Sequence, residues 1–295
     1  VSSDLNPGAA YLYDRQADTL EKIADGRPEL ADAPLARMRH FTIPSRDGLP
    51  LVCYLTIPVD FDETQADGLP RSREPVAMVV DVHGGPTMRD TFGFRSGHQW
   101  LANRGYAVLS VNFRGSSGFS KSFQAAGDGE WGGKMSDDLD DAVAWVVERG
   151  VADPKRVAIS GASFGGYAVL VAMTRSPEAY ACGIDLVGPS NLKTLMEEIP
   201  AHWEAGRASL YRKVGDPNTQ EGLALMHERS PLHRAGDIRR PLLIGQGAHD
   251  PRVLKQEADQ VVNAMQASGV PVTYLLYPDE GHGFGRPANA VSFNA

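Results

Sequence analysis

Cysteine is nearly absent: two in 295 residues, too few for a disulfide framework or a cysteine-built zinc site. Cys53 and Cys182 lie in separate apolar stretches and read as two buried free thiols rather than a bridge. No run reaches the roughly 18 apolar residues that a membrane span needs. Basic charge is also scarce, with a formal net charge of −8 and no cationic stripe, which argues against a nucleic-acid partner. There is no internal repeat or low-complexity tract. No strand-linked G-x-G-x-x-G opens a dinucleotide site. No cofactor or metal is expected.

What remains is an alternation of short apolar strands and amphipathic helices beyond Arg37, the pattern of a single α/β domain with a mostly parallel sheet. Val76–Val82 and Val272–Tyr277 read as strands, and the continuous apolar runs around Val157 and Leu242 read as strands with helices over both faces. Leu139, Val143 and Val146 mark the inner face of one helix, from about Met135 to Glu148. Ala258, Val261, Val262 and Met265 mark that of another, Lys255 to Gly269. Asp60–Glu74 is polar and reads as a surface excursion. Ser190–Arg240 carries no strand signal and reads as an insertion over the sheet, with Met196, Trp203 and Tyr211 as candidates to line a pocket.

The most informative run is Gly161-Ala162-Ser163-Phe164-Gly165. G-x-S-x-G arises by accident about 0.2 times in a chain of this composition, so the pattern alone carries little. Its placement, after an apolar strand and before Gly166–Met173 with its helical character, is that of a nucleophile elbow. The partners follow in the chain order this elbow requires. Asp250 lies in the loop after the strand at Leu242, and His282 lies between glycines after the strand at Val272. Between them there is room for one helix and one strand. All three loops would then emerge at the same edge of a parallel sheet, where α/β folds place their chemistry. Ser163 is the expected nucleophile, His282 the base, and Asp250 the group that orients it. Two N–H donors are needed for the oxyanion. Phe164, the residue after the nucleophile, supplies one; the loop His83-Gly84-Gly85-Pro86 supplies the other, at Gly85 or alternatively Gly84.

Together with Asn112-Phe113-Arg114-Gly115-Ser116, Gly129-Glu130-Trp131-Gly132, Asp250-Pro251-Arg252-Val253 and Asp279-Glu280-Gly281-His282-Gly283-Phe284, these motifs resemble the catalytic domain of the prolyl oligopeptidase family, in the branch of the acylaminoacyl peptidases. The resemblance runs from about Arg37 to the C-terminus and implies an α/β-hydrolase fold with an eight-stranded, mostly parallel sheet. It departs from the family at His83, where prolyl-cleaving and dipeptidyl members carry a tyrosine that lines the oxyanion hole. That favours Gly85 as donor and argues against strict prolyl specificity. Members also place a β-propeller before this domain. Residues 1–36, with Tyr11–Arg15 as a strand and Thr19–Ile23 after it, are therefore expected to be a propeller's last strand, its turn and a linker. Residues 37–295 are expected to be the catalytic domain, its final helix from Pro287 cut short.

The chemistry so implied is acyl transfer through an acyl-enzyme. Esters have better leaving groups than amides and demand less exact positioning. The isolated domain is accordingly expected to hydrolyse short acyl esters, and, joined to a propeller, to act as an exopeptidase on short peptides. A non-catalytic interaction domain, recognisable by an unreactive Ser163, is the alternative from another class.

Overall fold

A computed structural model of the chain describes residues 1–65 and 67–295. Strands β1 (Ala9–Asp14) and β2 (Thr19–Asp25) form a separate antiparallel hairpin. The remaining strands are β3 (Met38–Pro44), β4 (Pro50–Thr56), β5 (Val76–Val82), β6 (Tyr106–Asn112), β7 (Ala152–Ala162), β8 (Cys182–Leu186), β9 (Leu242–Gly247) and β10 (Val272–Tyr277). They make one eight-stranded sheet in the order β10-β9-β8-β7-β5-β6-β4-β3. From β10 to β6 every pairing is parallel; β4 pairs antiparallel with both β6 and β3, so it alone runs against the rest.

Helices α1 (Ser96–Ala102), α2 (Lys121–Ala125), α3 (Lys134–Glu148), α4 (Phe164–Arg175), α5 (Leu192–Glu197), α6 (Arg207–Val214), α7 (Gln220–Arg229), α8 (Lys255–Ala267) and α9 (Pro287–Asn294) complete the fold. In β5 all residues but Asp81 are buried, as expected of a central strand covered on both faces. In α8 the four apolar residues expected to face inward are all buried. In α4 almost every residue is buried, so this helix runs through the core rather than along its surface. The eight-stranded sheet is the one the sequence implied.

Three local expectations change. Segment 9–25 is a two-stranded hairpin rather than one strand and its turn. Asp14 Oδ1 accepts the amides of Gln16 and Ala17 and Asp18 takes a left-handed φ of 51°, which folds Thr19–Asp25 back onto the first strand. Cys53 is buried but Cys182, at the start of β8, is only half-buried; both are free thiols. Segment 190–240 is helical, with no strand among its described residues, as expected. Tyr211, however, is not part of the pocket described below. Leu210, Lys213 and Val214 of α6 face that pocket, and Tyr211 is turned away from Leu210 by the 100° step of the helix.

Candidate active site

Ser163 sits between β7 and α4 with φ 59° and ψ −119°, a backbone region that a non-glycine residue rarely occupies and that stores strain. The surrounding glycines make the turn possible by close approach. A Cβ on Gly161 would stand 2.5 Å from the backbone of Gly165, and one on Gly165 would stand 2.1 Å from the carbonyl oxygen of Val82. The Ser163 amide donates to the carbonyl of Leu186 at 2.9 Å, which ties the elbow to the end of β8. Val187 continues that end with φ 49°, an outlier for a β-branched residue.

Asp250 and His282 are brought together. His282 Nδ1 lies 2.7 Å from Asp250 Oδ2, and Asp250 Oδ1 accepts the amides of Arg252 and Val253 at 2.8 and 3.0 Å. Both carboxylate oxygens are thus engaged in a buried position, which fixes the imidazole by one nitrogen and leaves Nε2 as the other. Val253, in the turn that Asp250 holds, lines the same cavity as Ser163. Ser163 Oγ has no hydrogen-bond partner among the described residues, so the Asp250–His282 pair is assembled while no link to the serine is formed in this state.

Gly85, Ser163 and Phe164 share the wall of one cavity of about 380 Å³. The amides of Gly85 and Phe164 donate to no acceptor among the described residues, although both lie at a crowded turn. Gly85 has φ +116°, and a Cβ there would meet the amides of Thr87 and Met88 at 2.6 Å. Gly84, the alternative donor, does not line the cavity; its α-carbon lies against Ala162 and Ser163, where a Cβ would be 3.1 Å from the Ala162 carbonyl oxygen. The His83 ring also contributes no donor here, since both of its nitrogens are engaged elsewhere, by Gly84 O and Ser116 Oγ. Beyond the serine the cavity is walled by apolar side chains, Trp131, Leu195, Met196, Ile199, Trp203 and Leu210 among them. Among the described residues, Lys213 is its one ionisable lining residue. Among the described residues no group of three His, Cys, Asp or Glu side chains could hold a metal, and no helix is long and apolar enough to cross a membrane.

Sequence reasoning missed Asp185 and the structural weight of His83 and Phe113. Asp185 is a buried carboxyl on strand β8; its Oδ1 accepts the Gly188 amide at 2.9 Å and its Oδ2 has no partner among the described residues. Burial pushes this carboxyl up to about 8, against the opposing pull of the Gly188 amide. A lone acid in an otherwise apolar strand was the available signal.

Strand order, elbow and acid–base pair together define an α/β-hydrolase of the serine hydrolase class. More specifically, the family model described as the prolyl oligopeptidase family matches residues 92–294, and the chain belongs to that family. It is 54% identical to dipeptidyl aminopeptidase BIII of Pseudoxanthomonas mexicana, over 98% of this chain and 42% of that protein. It is 31% identical to the acylamino-acid-releasing enzyme of Rattus norvegicus, over 72% of this chain and 29% of that one. Its fold superposes on a puromycin-hydrolyzing peptidase of Mycobacterium tuberculosis with a TM-score of 0.84 and 28% identity, covering 100% of this chain and 43% of the other. The chain thus spans about two fifths of the length of the first of these relatives.

Proposed function

We propose that this chain is the catalytic part of an exopeptidase that releases short N-terminal units from peptides, with dipeptides as the favoured product. The observation that carries the reading is the pair of unengaged amides at Gly85 and Phe164 beside a strained serine, on the wall of an apolar pocket. Relatives named for dipeptide and acyl-amino-acid release support the exopeptidase expectation over simple ester hydrolysis, and the higher identity to the dipeptidyl aminopeptidase favours dipeptides. Exposed apolar residues on the hairpin, Tyr11, Leu12, Tyr13, Leu20 and Ile23, support residues 1–36 as part of a propeller and linker outside the catalytic domain.

In the reaction, Ser163 Oγ attacks the carbonyl carbon of the scissile amide while Nε2 of His282 takes its proton. Asp250 holds Nδ1–H, fixes the tautomer and stabilises the imidazolium. The oxyanion points at the amides of Gly85 and Phe164, whose donors need no reorganisation because nothing else occupies them. His282 returns the proton to the leaving amine, and water then releases the acyl group from Ser163. The residue before the cleaved bond enters the apolar pocket, where burying a medium-sized apolar side chain is worth about 1.5–3 kcal/mol. A panel of dipeptidyl anilides, acyl-aminoacyl anilides and p-nitrophenyl esters tests this. Dipeptidyl anilides should give the highest kcat/KM; turnover confined to esters would overturn the proposal.

A further inference from the structure

Glu257 is a buried carboxyl in the first turn of α8 that the reaction does not use. A buried acid needs either a cation or a set of donors. Glu257 has the second. Its Oε2 accepts the amides of Ser190 and Asn191 at 2.9 and 2.8 Å and the Gln260 side-chain amide at 2.8 Å. The Ser190 hydroxyl lies 3.2 Å from the same oxygen and donates to the Glu257 carbonyl at 2.7 Å. Oε1 faces the Thr194 hydroxyl. Burial pushes the carboxyl up, and the donors from Thr194, Asn191 and Ser190 oppose that shift.

Apart from Gln260, these donors come from one place, the turn between β8 and α5 and the helix it opens. Asn191 caps α5 by accepting the Lys193 amide at 3.0 Å. From the other side, the Leu192 amide donates to Ser230 Oγ at 2.9 Å and the Leu232 amide to the Ser190 carbonyl at 3.0 Å. The turn is therefore clamped between α8 and the segment after α7. Helix α5 has only six residues, too few to be stable alone, so its direction follows from the clamp. What the clamp aims is a wall of the cavity beside Ser163: Pro189 precedes the turn, and α5 carries Leu195 and Met196. The α8 side contributes Val253, in the turn that Asp250 holds. Glu257 does not itself line the cavity. It ties two of its walls together by a bond between positions 67 apart in the chain.

Taking the cavity as the seat of the residue before the cleaved bond, as the exopeptidase reading does, we infer that Glu257 is a positioning residue for specificity: its carboxyl locks the Ser190–Asn191 turn to α8 and so fixes where Pro189, Leu195 and Met196 stand relative to Val253. Contacts with a side chain in that cavity are held both before and during attack by Ser163. Glu257 therefore acts on binding and on the choice of side chain rather than on the chemical step.

The test compares Glu257→Met, which keeps the length of the side chain and removes both acceptors, with Glu257→Gln. Glutamine keeps an oxygen for the two backbone amides and turns an N–H to Thr194, whose own proton can go to the Asn191 carbonyl at 3.1 Å. Dipeptidyl anilides with leucine or alanine before the cleaved bond give kcat and KM, and the rate of labelling by a small fluorophosphonate reports on the serine alone. In Glu257→Met the KM for the leucine anilide should rise and its kcat/KM advantage over alanine should shrink, on the order of tenfold, the scale of one misfitted methylene. Its kcat and labelling rate should stay within about twofold of native, as when binding alone is lost. Glu257→Gln should keep the native ratio. Thr194→Val removes one donor and should shift the ratio the same way by about threefold, the worth of one hydrogen bond; it decides the matter if the methionine variant does not fold. An unchanged ratio in the folded variant, even with a lower melting temperature, would overturn the inference, since Glu257 would then serve stability only. A glutamine variant as unselective as the methionine one would overturn it too. A native protein that cleaves esters but no anilide removes the exopeptidase reading instead; the same ratio is then read on p-nitrophenyl isocaproate and acetate, where it still judges Glu257.

Discussion

Two polar clusters stand at the same edge of the sheet, on strands separated only by β5, and they are built in opposite ways. Arg114, just after β6, is saturated: Nε and Nη2 donate to Asp138, Nη1 and Nη2 to Asp47, and its own amide also meets Asp138, all at 2.7–2.9 Å. Its guanidinium holds the Asp47 carboxyl far below the usual range, with help from Ser45. Around Ser163, just after β7, the opposite holds among the described residues: two amides without acceptors, a serine hydroxyl without a partner, and Asp185 with one orphaned oxygen. Phe113, next to Arg114 in the chain, packs on the rings of His83 and Phe164 and so lies between the two clusters. A satisfied network rigidifies the chain, while an unsatisfied one holds interaction capacity in reserve for a reacting group. Loss at the first should therefore appear as lost stability, and loss at the second as lost rate.

The largest effect separating them is at the nucleophile. Ser163→Ala should abolish fluorophosphonate labelling and lower turnover by at least about 10⁴-fold, with a melting temperature close to that of the native protein. Asp250→Asn should cost about 10⁴-fold in kcat, because the asparagine leaves the imidazole in the wrong tautomer. Arg114→Met is the converse. It strands Asp138 uncompensated and should cost about 3–5 kcal/mol in urea denaturation, while molecules that remain folded keep near-native turnover. A variant that lost rate but no stability would erase the distinction.

A subtler probe is Asp185→Asn. The native carboxyl binds its proton up to about pH 8, whereas in the unfolded chain it loses it near 3.9. Between those values the folded state holds more protons, so this group's contribution to stability declines as pH rises through that window. Asparagine keeps an acceptor for Gly188 and cannot ionise. Its stability relative to the native protein should therefore rise from pH 5 to pH 8, which thermal melts at the two pH values would show; a constant difference would mean that the acid is not perturbed. The smallest effect concerns the pocket. Lys213→Met should reduce turnover of substrates with an acidic residue before the cleaved bond about fivefold relative to apolar ones, consistent with about 1 kcal/mol for a partly exposed ion pair. Equal ratios in the two proteins would show that Lys213 does not face that side chain.

Ser163, Asp250, His282, Gly85 and Phe164 could all be proposed as candidates from the chain because each lies in or beside a loop at the end of an apolar strand, and strand periodicity with glycine punctuation is a local property. The pocket walls resisted the same treatment. Leu195 and Leu210 come from short helices whose weak patterning does not say which face meets the sheet, Ile199 comes from the connection after one of them, and Tyr211 was misassigned there by a single helical step. His83 was legible as a departure from the family, but the placement of its ring depends on where Ser116 and Phe113 arrive from another strand.

Local sequence, then, determined the alternation of elements, the elbow and the order of the reacting groups, since these follow from backbone preference and burial over a few residues. Only the tertiary structure decided which donors stay unengaged, which carboxyl is stranded and which ring packs on both His83 and Phe164. Those are through-space facts, set when distant strands pack side by side and fill or leave open each hydrogen-bonding position.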